Sequence, residues 1–211
     1  MHRHPGNRRR VAERPLAGDL VVADDIHGAT GLDGPDLEGP TAEAEPVHAV
    51  ELTRRLIAGS AEPVTLIATG PLTDIVLRSG VPATMIGLNV THQALATDEI
   101  IAEFRGLGTR VGTACAELMT FFASTYRDVF GFAHPPVHDP IAVAAVADPA
   151  ILRTVAVPVA VELTGTYTRG ATVVDLHHRS GRTPQAVVAV GLDVPAFWRM
   201  LMAAVARAQP C

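Results

Sequence analysis

The chain alternates between short runs that are apolar on every side and longer stretches in which apolar residues return every three or four positions. Residues 64–68 (VTLIA), 83–88 (ATMIGL), 155–163, 172–176 and 186–190 are of the first kind. An apolar run without polar alternation suits a strand covered on both faces, as in parallel sheets. Residues 20–23 predict one more short strand. In the second kind, residues 46–57 set Ala49, Leu52 and Leu56 on one face with Arg54 and Arg55 outside, which predicts a helix. Thr97 stands where an N-cap belongs ahead of a helix over 98–104. After Gly106 and Gly108, Val111, Ala114, Cys115, Leu118 and Phe122 recur at helical spacing, so the two segments predict an αα-hairpin. Asp139 and Pro140 fit the N-cap and first position of a helix through 147, and Asp193 and Pro195 open a closing helix bearing Phe197, Leu201 and Val205. Strands of buried type alternating with helices predict an α/β fold, a mostly parallel sheet flanked by helices.

One connection is short for that fold. Residues 69–82 must carry the chain from the 64–68 strand to the 83–88 strand, with a helix started by Gly70-Pro71 and ending near Leu77. That span barely reaches the length a parallel crossover requires. Elsewhere the chain is long on loops: residues 1–19 lack apolar periodicity and predict a poorly ordered lead-in, and residues 24–46 hold seven glycines and prolines. Residues 20–211 are expected to form a single domain.

Composition narrows the function. At 48% hydrophobic and 18% charged residues over 211 positions, this is the make-up of a globular protein with a real core. A net charge of -5 argues against nucleic acid as partner, which needs a basic stripe. All 17 basic residues are arginines, so P-loop lysine and lysine Schiff-base chemistry are excluded. Cys115 and Cys211 make neither a disulfide framework nor a zinc site. With no apolar run of membrane-spanning length, the expected setting is the cytoplasm, with no membrane partner.

The residues richest in chemistry are His134-Pro135-Pro136-Val137-His138-Asp139-Pro140, which put an imidazole and a carboxylate side by side at a helix entrance. Asp25-Ile26-His27-Gly28 continues into a glycine-rich loop through Gly34, and Tyr126 follows Phe122 on the long helix. Each has a plainer reading. Asp139 before a proline is a good cap in its own right, a loop histidine such as His27 is usually solvated, and Tyr126 with Phe122 is more often core. His48, His92, His177 and His178, like Asp24 and Asp25, read as solvent-facing or satisfied groups. A serine or cysteine hydrolase is disfavoured, because Ser124 lacks a nucleophile-elbow pattern and Cys115 sits on an apolar face.

Taken together with Ala68-Thr69-Gly70-Pro71-Leu72-Thr73-Asp74, Gly87-Leu88-Asn89-Val90-Thr91-His92 and Arg169-Gly170-Ala171-Thr172-Val173-Val174-Asp175, these stretches resemble the nucleoside hydrolases, the inosine/uridine-preferring nucleoside N-ribohydrolase family. The resemblance runs from about Arg14 to Arg207. It implies cleavage of the N-glycosidic bond of ribonucleosides, with calcium holding the sugar. By position, His138 resembles the histidine that assists the departing base, Asp139 a calcium ligand, and His27 and Tyr126 base-side substrate contacts. Two family features are absent: the N-terminal DxDxxxDD motif, and a central Met-Gly-Gly strand with its Glu-Phe-Asn ribose loop. The second gap falls around 77–80, at the short crossover. The expectation is therefore an incomplete nucleoside hydrolase-like domain with an incomplete calcium site and impaired activity, from a deletion, a misplaced start or gene decay. The alternative is a non-catalytic remnant acting as a binding or oligomerisation module, since the family forms homo-oligomers. Base preference stays open.

Overall fold

A computed structural model of the chain describes residues 23–39, 47–69, 77 and 79–208. Its elements run α1 (Asp24–His27), α2 (Ala49–Gly59), β1 (Thr84–Met85), α3 (Leu88–Thr91), α4 (Asp98–Gly106) and α5 (Arg110–Phe130). They continue with α6 (Asp139–Ala147), β2 (Leu152–Val157), β3 (Val159–Val161), β4 (Thr172–Val174), β5 (Ala186–Leu192) and α7 (Val194–Arg207).

The helix starts are fixed by side chains that accept the orphaned first-turn N–H groups. Thr97 accepts from Ile100, Thr109 from Gly112 and Asp193 from Ala196. α5 ends at Gly131, whose φ of 71° turns the chain out of the helix, a conformation glycine adopts without a Cβ clash. α4 and α5 form the expected hairpin, with Gly112 pressed so closely on the Phe104 carbonyl that a Cβ there would come within 2.6 Å of it.

The sheet is mixed. β5 lies in the middle of a three-stranded order β1-β5-β2, parallel to β1 and antiparallel to β2. β3 and β4 form a separate antiparallel pair. The expected 155–163 strand is divided at Pro158, which has no N–H for a ladder. Gln185 bridges the division, accepting from the Val159 N–H at 3.1 Å and donating to the Val159 carbonyl. Two apolar clusters fill the interior. Phe104, Ile141, Phe197 and Trp198 meet where the helices pack together, and Val157, Val159, Ala186 and Val188 meet under the strands.

Several expectations are corrected here. Residues 64–68 form no strand, and Val64 and Leu66 are 50% and 60% exposed. The 83–88 strand shrinks to Thr84–Met85 at the sheet edge rather than its interior. An apolar run can only become an inner strand if neighbours exist to pair with it, and among the described residues nothing pairs with the far side of β1. Among the described residues the sheet, expected to be mostly parallel, is mixed, with one parallel and one antiparallel pairing, and the separate β3–β4 pair is antiparallel. The α/β class itself holds. The 20–23 strand, the 70–77 helix and the 1–19 lead-in lie wholly or almost wholly outside the described residues.

Candidate functional site

α5 carries an aromatic stripe on one face. Phe122, Tyr126 and Phe130 are four residues apart, the spacing that stacks side chains along a helix, with ring centroids 4.6 and 5.0 Å apart. His27 lies over the start of the stripe, its ring 5.3 Å from Phe122 and nearly parallel to it. What holds His27 there is local. The Thr125 hydroxyl donates to the Ile26 carbonyl at 3.0 Å, with Ile26 itself buried. Beyond His27 the loop folds around Asp33, whose carboxylate accepts from the Ala29 and Thr30 N–H groups at 3.1 Å each and from the Thr30 hydroxyl. The Thr30 hydroxyl, chief among these donors, holds the Asp33 carboxyl below its ordinary range.

His138 arrives from another direction. The Ala96 N–H donates to the Pro135 carbonyl at 2.9 Å and the Val137 N–H to the Ala94 carbonyl at 3.0 Å, so residues 94–96 and 135–137 run as a short antiparallel bridge. Pro135 and Pro136 are fully buried in it. The bridge sets His138 between two hydroxyls, with Nδ1 2.8 Å from Thr91 Oγ1 and Nε2 3.2 Å from the Tyr126 hydroxyl. Thr91 comes from α3, directly after β1, so the site stands beyond the C-terminal end of a parallel strand, the usual place for ligands in α/β sheets. Burial lowers the His138 pKa, reinforced by the nearby His92 ring and opposed by Asp139. Burial also pushes the Tyr126 phenol up.

Asp139 is displaced by one from its expected place. The N-cap position of α6 belongs to His138, and Asp139 starts the helix. The cap reading fails because the chain already turns helical at His138 (φ -97°, ψ -70°), leaving the Asp139 carboxylate exposed and without a hydrogen-bond donor among the described residues. His27, Phe122, His138 and Asp139 nevertheless line one cavity of about 260 Å³, with Asp33 and Leu118. Tyr126 stands behind His138 rather than in the wall. All four residues singled out in the sequence are thus brought together. Thr91 and Asp33 were missed; a threonine buried to 5% two places after an asparagine carries no pattern a sequence reading would detect. His48 is not merely solvated, since its Nδ1 accepts from the Val50 N–H and caps α2.

The model of the inosine-uridine preferring nucleoside hydrolase family matches in two blocks, residues 4–77 and 74–199. The chain belongs to that family. The pyrimidine-specific ribonucleoside hydrolase RihA of Klebsiella pneumoniae is 35% identical over 237 residues, covering 90% of this chain and 76% of that protein. RihA of Shigella flexneri is equally similar, at 35% over 237 residues. This nucleoside hydrolase is itself only 211 residues long, so RihA carries residues inside the aligned stretch that it lacks. The two blocks overlap at residues 74–77. In fold it is similar to a purine-preferring ribonucleoside hydrolase from Gardnerella vaginalis (TM-score 0.78, 24% identity, 93% of this chain and 77% of that one). A plant nucleoside hydrolase gives a TM-score of 0.83 at 18% identity, over 95% of this chain and 80% of the other.

Calcium, which the family resemblance implies, does not fit the donors described in this nucleoside hydrolase. It takes six to eight hard oxygen ligands, whereas the cavity offers Asp139 and an Asp33 whose two oxygens are both occupied by its own loop. No group of three metal-binding side chains occurs among the described residues.

Proposed function

We propose that the cavity receives a ribonucleoside and that this chain keeps the base-side half of a nucleoside hydrolase site without a working sugar-side half. One observation carries the reading: His27, Phe122 and His138 converge on one cavity, with Tyr126 bonded to His138, while Asp139 is the one carboxylate there with uncommitted oxygens.

An N-glycosidic bond breaks through an oxocarbenium-like state, so a hydrolase must stabilise positive charge on the sugar, supply water as nucleophile and neutralise the departing base. The third task has its residues. His27 and Phe122 give the base a flat stacking surface, and His138 with Tyr126 supplies hydrogen-bonding groups to the departing nitrogen. The first two tasks lack theirs. Among the described residues Asp139 alone supplies one or two oxygens towards calcium, and no second carboxylate with free oxygens lines the cavity as the base for water. Weak calcium binding and hydrolysis close to background follow. The 35% identical relatives are named pyrimidine-specific, which makes uridine and cytidine the first ligands to offer. Two distant cysteines and the absence, among the described residues, of a helix long and apolar enough to cross a membrane support a cytoplasmic setting.

The experiment is ribose release from uridine and inosine by the 211-residue chain in excess calcium, beside His138→Ala, with nucleoside binding followed by saturation-transfer NMR. Binding that His138→Ala weakens, with turnover near background, is expected. Robust turnover abolished by the substitution would overturn the impairment, and no nucleoside binding at all would overturn the site.

A second reading, a module for self-association, draws on the outer edge of β1, which nothing among the described residues pairs with, and on the exposed Val64 and Leu66.

A further inference from the structure

A neutral imidazole has one nitrogen that donates and one that accepts. His138 has a hydroxyl at each: Thr91 at Nδ1 and Tyr126 at Nε2. Hydroxyls can play either part, so the two distances allow two patterns. In one, Nδ1–H donates to Thr91 and Nε2 accepts from Tyr126. In the other, Thr91 donates to Nδ1 and Nε2–H donates to Tyr126.

The surroundings of the two hydroxyls decide between them. Thr91 is 5% exposed, the one buried polar residue among those described, and its hydroxyl has no partner there other than His138. Were it to accept from Nδ1–H, its own proton would be buried without an acceptor, and buried donors left unmade cost more than a typical hydrogen bond gains. Tyr126 is only partly buried; it can accept from Nε2–H and turn its own proton towards water.

Thr91 is also firmly placed. Val90 before it is fully buried, and the Asn89 side-chain amide donates to the Ala189 carbonyl of β5 at 3.2 Å, pinning α3 to the sheet. The 94–96 and 135–137 bridge fixes His138 opposite. Neither partner can swing away to relieve a mismatch.

We infer that Thr91 is a positioning residue that fixes the neutral His138 ring with its proton on Nε2, the nitrogen on the Tyr126 side. The ring then presents a donor rather than a lone pair to the Tyr126 hydroxyl, which leaves the phenol's own proton free to be donated onward. That consequence rests on the reading under Proposed function: a base leaving a sugar carries excess electron density on nitrogen and needs a donor. The tautomer itself stands independently of it.

The test is long-range ¹H–¹⁵N correlation of the histidine rings in the ¹⁵N-labelled 211-residue chain at about pH 8.5, well above the ordinary histidine pKa of about 6.5. His138→Gln identifies the signal. The wild-type ring should show the Nε2–H pattern. Thr91→Ser, which keeps the hydroxyl, and Tyr126→Phe, which removes the other one, should both retain it. Thr91→Val, of the same shape without the hydroxyl, should shift the ring to a mixture or to Nδ1–H. An Nδ1–H wild type, or a folded Thr91→Val with the pattern unchanged, would overturn the inference. If Thr91→Val does not fold, the wild-type Nε2–H pattern and its retention in Tyr126→Phe decide the matter alone, and its loss in Tyr126→Phe would overturn the inference. None of these readouts uses turnover, so an absence of nucleoside binding would sink the functional reading and leave this one standing.

Discussion

Gly34 lies against the backbone of Glu117. A Cβ added to Gly34 would come within 2.8 Å of the Glu117 carbonyl oxygen, and its φ of 126° is one that side-chain-bearing residues rarely adopt. The contact lets the loop after His27 settle onto α5. Gly34→Ala should therefore cost about 1–3 kcal/mol, from backbone strain and the forced shift together. A lowered urea midpoint, with weakened ring contacts between His27 and Phe122 in NMR, is the expected result. An unchanged midpoint would mean that the loop does not bear on the helix.

The helical core should be sensitive to a single truncation. Phe104 is 1% exposed and meets Trp198 edge-on with centroids 6.3 Å apart. Phe104→Ala leaves a cavity that its close-packed neighbours cannot fill, a loss of about 3–5 kcal/mol. Since that is a large share of the stability of an ordinary domain, the variant should unfold at much lower urea. Trp198, the sole tryptophan, reports it by fluorescence.

Acid stability should depend on Asp175. Its carboxylate accepts from the Ser180 N–H at 2.7 Å and the Arg179 N–H at 2.9 Å. The Ser180 donors chiefly, then Arg179, hold it down to about 2 from the usual 3.8. A carboxyl depressed in the folded state stabilises above its unfolded pKa, and that contribution disappears as pH falls from about 4 through about 2. Asp175→Asn should be less stable at neutral pH, by a small amount for so exposed a group, and its melting temperature should decline less steeply through that window. Parallel profiles for the two proteins would refute the link.

The edge of β1 should promote association. Open strand edges and exposed apolar side chains such as Val64 and Leu66 favour pairing with other chains, and lysine is the usual deterrent. Concentration-dependent growth in size is expected by light scattering, and Val64→Lys with Leu66→Lys should suppress it. A monomer across the whole concentration range would exclude the self-association module.

Legibility in the sequence followed how local each determinant was. Thr97 and Asp193 announce their helices because a cap acts within three residues. Pro158 was visible in the sequence, yet its division of one strand into two follows from which neighbours the chain meets on either side. Residues 64–68 mislead for a related reason: a β-branched apolar run records what a segment would bury, and burial needs partners that lie elsewhere. The grouping of His27, Tyr126, His138 and Asp139 came from resemblance to a family, because no periodicity links positions 27, 126, 138 and 139. The hydroxyl of Thr91 was out of reach, since its importance lies in the absence of any other acceptor for its proton.

The bond from Thr125 to the Ile26 carbonyl spans 99 residues of sequence. It joins the first matched block to the second directly, beside the cavity rather than along the chain. Any molecule seated against both His27 and His138 would therefore work as a removable crosslink between the two matched blocks. Its binding free energy adds to the stability of the fold, about 2.7 kcal/mol at a hundredfold excess over Kd. For a chain like this the ligand's lasting contribution is mechanical: occupancy, with or without chemistry, helps keep the two blocks together.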